Sequence, residues 1–164
     1  MKKLLLTLCL TFLATTGVFA VTGRQEVLDA IAVLENPTDG ESLSKAMSVV
    51  IQFAQESPDV LITISRESAP WIFEDLKLSK ENTDMVNSLL LAEYVAGMVK
   101  YQLATGTMDE NPYEGWLFVI RSYNQLKEQL GFTSPELEDF IRKEAEGVLK
   151  DYGQTLVEQH KEKK

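Results

Sequence analysis

Apolar residues recur every three or four positions through most of the chain, and polar punctuation breaks the pattern at intervals that suit helices. In residues 22–37, Val27, Ile31 and Leu34 share one face. Thr22 and Gln25 stand there at capping-box spacing, and Asn36-Pro37 closes the run. Residues 38–58 repeat the logic, with Thr38 and Glu41 at the start, Leu43, Met47, Val50 and Ala54 in line, and Ser57-Pro58 at the end. A short helix is predicted over 69–76, capped by Ser68 with Pro70 in its first turn. From Thr83 to Thr105 nearly the whole circumference is apolar or small, the pattern of a helix surrounded by others, over roughly 34 Å. Ala92, Ala96 and Gly97 give it a slim flank for a close neighbour. The next helix, 111–131, turns Trp116, Ile120, Tyr123 and Leu130 inward and ends at Gly131. The last, 133–153, opens on Thr133 and Glu136 and aligns Leu137, Phe140, Ile141, Val148, Leu149 and Tyr152.

Only the run of Val60, Ile62 and Ile64 against Leu61, Thr63 and Ser65 alternates like a strand. It has no second run to pair with, so it reads as an apolar crossover between Pro58 and Pro70, anchored by Trp71; a helical turn over Leu61 and Ile64 also fits. The expected fold is all-α: an irregular helical bundle or a short superhelix of antiparallel helical hairpins, with about five to six helices. Trp116 and Tyr123 have the spacing of a tetratricopeptide repeat, but Ile120 and Phe132 stand where that pattern wants small residues, and no other segment repeats it.

The ends change the picture. Residues 1–20 join a basic start (Lys2, Lys3), an apolar stretch, and Val18 and Ala20 at the −3 and −1 positions, which is the pattern of a secretory signal peptide cut before Val21. Cys9 lies inside the apolar stretch and reads as filler, not as a lipidation site. Residues 21–153 are then expected as a single all-α domain, and 154–164 as a frayed charged tail. Cleavage would leave 144 of the 164 residues and no cysteine, so the core must hold the exported chain without disulfides. A domain of roughly that size buries about 68–70% of its unfolded surface, enough for one core. Export implies the periplasm or the extracellular space, with no stable membrane insertion after cleavage.

The 16 basic and 25 acidic residues give a net charge of −9, and losing Lys2 and Lys3 takes it to −11. Such a surface repels nucleic-acid phosphates and anionic headgroups, and it would attract a basic protein or peptide. The composition also narrows the chemistry. With His160 as the single histidine and no thiolate after export, a metal site would rest almost wholly on carboxylates, and neither a metal nor another cofactor is expected. Two glycine turns look like calcium loops, yet each puts proline at the third loop position and Ala46 or Arg121 where the terminal glutamate belongs. No serine or threonine has a credible histidine base, and no glycine-rich phosphate loop occurs.

Carboxylates remain as candidate acids. Glu93 sits mid-way along the most apolar helix, where an isolated carboxylate would be desolvated and its pKa raised. The alternative for it is a structural ion pair with Lys100 or Arg121. Glu67 is the second candidate, with Ser68 after it as a helix cap. For binding, Tyr94, Tyr101, Tyr113, Trp116 and Tyr123 fall within 30 residues and offer an apolar body with a polar tip, although their spacing also fits core packing.

Two resemblances bear on function. Glu67-Ser68 resembles the Glu-Ser opening of the lytic-transglycosylase motif; the glycine-rich motif that follows in that family has no counterpart here, so nothing further carries over. "AEYVAGMVKYQ", followed by an amphipathic helix, resembles the small periplasmic immunity proteins that neutralise cell-wall amidase toxins, which have a Tyr-x-x-Gly helix, here Tyr94 to Gly97. That family also carries cysteines, which this chain lacks beyond Cys9. The sequence thus points first to an exported, acidic, non-catalytic protein-binding module. A carboxylate-dependent glycan hydrolase or lyase of the cell envelope, and an immunity-type inhibitor of an envelope-targeting toxin, are the alternatives.

Overall fold

A computed structural model describes residues 23–162. Residues 1–22 and 163–164 lie outside the described residues, and with them the expected signal peptide, Cys9 and the Thr22 cap. Among the described residues the protein is all-α: six α-helices and one 3-10 turn, with no strand. It divides into two compact units at Pro58–Asp59, within the crossover that the sequence marks as a seam.

The first unit holds α1 (23–35) and α2 (Gly40–Glu56). A Cβ on Gly23 would lie 3.5 Å from the Phe53 ring, so the start of α1 sits beside the end of α2 and the pair is antiparallel. The caps differ from those expected. Gln25 donates to Asp29 one turn on (2.8 Å). Asp39, not Thr38, caps α2: its carboxylate accepts from the Ser42 N–H (2.8 Å), and that bond holds its pKa below the usual carboxylate value. A charged acceptor suits the positive end of the helix better than a hydroxyl, and the Thr38 hydroxyl instead donates to Asp39 (3.1 Å) and lies 3.4 Å from the Ser42 hydroxyl. Ser57 is extended ahead of Pro58, as a residue before proline prefers.

In the second unit a 3-10 turn (Pro70–Phe73) stands where the sequence predicts a short helix, and Ser68 does not cap it. α3 (Lys80–Thr105) begins three residues before Thr83, because Ser79 accepts from the Asn82 N–H (3.2 Å) and Lys80 pairs with Asp84 (2.6 Å). α4 (Pro112–Leu130) ends at Gly131, whose φ of 67° permits the left-handed cap. The predicted helix over 133–153 is two helices. α5 (Pro135–Ala145) starts at Ser134, in place of Thr133, and stops at Gly147 with φ 73°. α6 runs Leu149–Glu162, so residues 154–162 are helical where fraying was expected. Gly153 is a buried position inside this helix, where a Cβ would stand 3.2 Å from the Trp116 ring, and Leu156 beyond it is buried.

α3 packs along α4, α4 also meets α5 and α6, and α5 touches α6 and the 3-10 turn. Trp71, Tyr94, Met98, Trp116, Tyr123 and Phe140 lie in the resulting core. The α3–α4 contact is closest at Gly97 and Gly115. A Cβ on Gly97 would fall 2.4 Å from the Glu114 carbonyl oxygen, and one on Gly115 would fall 2.5 Å from the Tyr94 ring.

Candidate functional site

Of the five aromatic residues, three are placed inside. Tyr94 meets Trp71 edge-on (6.1 Å between centroids), and Trp116 lies between Phe140 (4.7 Å) and Tyr152 (5.6 Å) while its Nε1–H donates to the Ser68 carbonyl (2.8 Å). Tyr123 accepts from the Ser134 N–H (3.0 Å) and donates to Glu138 (2.7 Å), which ties α4 to the start of α5. Tyr101 and Tyr113 are partly exposed, and the Tyr113 hydroxyl donates to Glu144 (3.2 Å). A partner arriving from solvent would meet none of Tyr94, Trp116 or Tyr123.

Burial raises the Tyr94 phenol to about 12, with Glu110 adding to the shift and Ser68 opposing it. It also raises Tyr123 to about 12; the Ser134 N–H opposes the shift and the Glu138 carboxylate adds to it. An unfolded phenol ionises near about 10, so above that pH the unfolded chain releases protons that the folded chain keeps. Their contribution to stability is therefore whole below about 10 and lost as pH rises toward 12. Tyrosinate absorbance followed against pH should show two of the five tyrosines ionising last, together with the unfolding transition. Five phenols titrating together near about 10 would contradict the buried placement.

Glu93, the candidate acid on α3, is buried with its side chain 2% exposed, and Arg121 of α4 donates to it at 3.3 Å. The Arg121 guanidinium lies 4.6 Å from the centre of the Phe118 ring, and the Lys100 ammonium lies 5.5 Å from the same ring. Two cations thus lie against one aromatic ring beside a buried carboxylate. The geometry is that of a charge-balanced helix contact.

The crossover is where apolar and acidic side chains meet solvent together. Gln102, fully buried on α3, accepts from the Leu61 N–H (2.8 Å) and donates to the Leu61 carbonyl (2.8 Å) and the Asp109 carbonyl (3.2 Å). One carboxamide thus fixes the crossover and the α3–α4 loop side by side, and the Thr63 hydroxyl adds a bond to Glu110. Further on, Ser65 and Ser68 close a turn on each other: the Ser65 N–H donates to the Ser68 hydroxyl (2.9 Å), and the Ser68 N–H to the Ser65 hydroxyl (3.1 Å). Leu61, Ile64 and the loop residue Met108 remain about half exposed, at 54%, 48% and 53%.

Glu67, the other candidate acid, is on the exposed side of this turn. His160 of α6 brings its Nε2 to 4.0 Å from the Glu67 carboxylate and its Nδ1 to 4.0 Å from that of Glu110. Arg66 lies over Phe73 (5.2 Å). Sequence reasoning missed Gln102 and His160. The signal for Gln102 is a lone amide on an otherwise apolar helix; His160 was masked by its placement in a supposed tail. Among the described residues no group of three or more His, Cys, Asp or Glu is placed to hold a metal ion, and no helix is long and apolar enough to cross a membrane.

Comparison with known protein families, curated proteins and solved structures returns no match.

Proposed function

We propose that this protein is a non-catalytic protein-binding module that acts after export, in the periplasm or outside the cell. Its contact surface is the crossover at residues 61–67 with the adjoining loop at 108–110. The observation that carries the reading is the exposure of Leu61, Ile64 and Met108 beside the Glu67 and Glu110 carboxylates, on a backbone held by Gln102. Exposed apolar side chains bordered by charge are the composition of a protein contact, and a rigid backbone beneath them lowers the cost of ordering on binding. The net charge of −9 favours a basic partner and a fast, salt-sensitive encounter. Export rests on the signal-peptide pattern of residues 1–20.

Hydrolysis by Glu93 is less well supported, because the carboxylate is held by Arg121. An immunity-type role, suggested by the likeness around Tyr94 and Gly97, would be one case of this binding reading, with a toxin as the partner. The test is retention of a partner from cell-envelope extract on immobilised protein at low salt, with an Ile64→Asp, Met108→Asp variant as control. The wild type should hold a basic protein that the variant releases. Equal retention by both, or release of sugars from purified cell-wall glycan by the wild type, would overturn the reading.

A further inference from the structure

Leu61 turns both its N–H and its carbonyl toward the same Gln102 carboxamide, each at 2.8 Å. A residue that points both backbone groups to one side is extended, and in an extended chain its neighbours point theirs the other way. Gln102 therefore occupies the edge that serves Leu61 and Thr63, and the opposite edge belongs to Ile62 and Ile64. Among the described residues the backbone groups of Ile62 and Ile64 take part in no hydrogen bond, whereas Ser65 is again engaged, by Ser68.

We propose that Ile62 and Ile64 present a free backbone edge to which an extended, lysine- or arginine-bearing segment of a partner protein adds as a strand. The proposal rests on the protein-binding reading above and names its recognition mode. Strand addition draws affinity from main-chain hydrogen bonds and specificity from alternate side chains. Here Leu61 and Ile64 offer apolar contact along the segment, and the exposed Glu67 sets a carboxylate three residues beyond Ile64, so basic residues alternating with apolar ones complement the edge. The buried Gln102 prepays the ordering of the strand, since its bonds to Leu61 hold the segment extended before any partner arrives.

The experiment uses an alternating valine-lysine peptide of about eight residues as the probe, with a valine-glutamate peptide of the same length as its control. Amide hydrogen exchange on the wild-type protein should show Ile62 and Ile64 protected about tenfold or more at saturating valine-lysine peptide, with Leu61 unchanged because Gln102 already holds it. Ile64→Pro removes an N–H that the fold does not use and should weaken the peptide about tenfold, while Ile64→Ala, which keeps the N–H, should weaken it less. Circular dichroism checks that the proline variant is folded; if it is not, the exchange result on the wild type decides. Binding of the valine-lysine peptide without protection of Ile62 and Ile64 overturns strand addition and leaves the protein-binding reading standing. Equal binding of the valine-glutamate peptide overturns the basic partner. No binding of either peptide overturns the proposal, and the binding reading then stands or falls on the extract experiment.

Discussion

Gly97→Val is expected to cost the second unit about 3 kcal/mol or more, read as a fall in the denaturant midpoint. Even the first added atom has nowhere to go. A Cβ there would lie 2.4 Å from the Glu114 carbonyl oxygen and 2.8 Å from both the Glu114 carbonyl carbon and the Gly115 Cα, all backbone of α4. A flexible side chain could swing aside; a helix backbone moves only with the helix. The obstacle is reciprocal, since a Cβ on Gly115 would meet the Tyr94 ring at 2.5 and 2.7 Å and the Tyr94 carbonyl at 2.9 Å. The helices thus close on each other with a glycine from each side, and Tyr94 fills the space that the missing Gly115 side chain leaves. Gly40→Ala is the control, because nothing lies within 4 Å of that position. A Gly97→Val protein that unfolds at the same denaturant concentration as Gly40→Ala would mean that α3 and α4 are not in this contact. The same geometry gives the Tyr-x-x-Gly spacing a packing reason that holds whatever the protein binds.

Arg121→Ala is expected to cost about 3 kcal/mol, because it withdraws a cation from a buried carboxylate. Glu93 has 2% of its side chain exposed while Arg121 keeps 36%, so the loss falls on the group that water cannot resolvate. Removing the charge as well should recover part of the loss, and the double variant Glu93→Gln, Arg121→Ala is therefore expected to be more stable than Arg121→Ala alone. Chemical denaturation of the four proteins of this cycle checks it. A double variant no better than Arg121→Ala alone would show that the arginine contributes by packing on Phe118, from whose ring centre it lies 4.6 Å, and not by neutralising Glu93.

Helix positions were legible where the signal was local. Ser57-Pro58 ends α2 and Gly131 ends α4 because a residue before proline avoids the helical region and a left-handed cap favours glycine. Caps were misplaced by one residue at Thr38 and Thr133, where the next residue, Asp39 or Ser134, reaches the free N–H instead. Gly147 and Gly153 show the limit of local reading. Both look like breakers, but the first takes a positive φ and ends α5, while the second is packed close to Trp116 inside α6. Nothing in the neighbouring residues distinguishes them.

By itself, the sequence determined the helical class, most helix ends, the acidic charge and the poverty of metal-binding and nucleophilic groups, since these follow from composition and from contacts a few residues apart. Only the tertiary structure decided which aromatics are core, that Glu93 answers to Arg121, that Gln102 holds Leu61, and that His160 reaches Glu67 and Glu110. The pairings of Glu93, Gln102 and His160 join positions 28 to 93 residues apart in the chain. Hydrophobic periodicity says which face of a helix is buried, but not which other helix covers it or which polar atom waits there. The apolar crossover is the sharpest case. Its alternation is plain in the sequence, and its backbone partner turns out to be a side-chain amide 41 residues away, on α3.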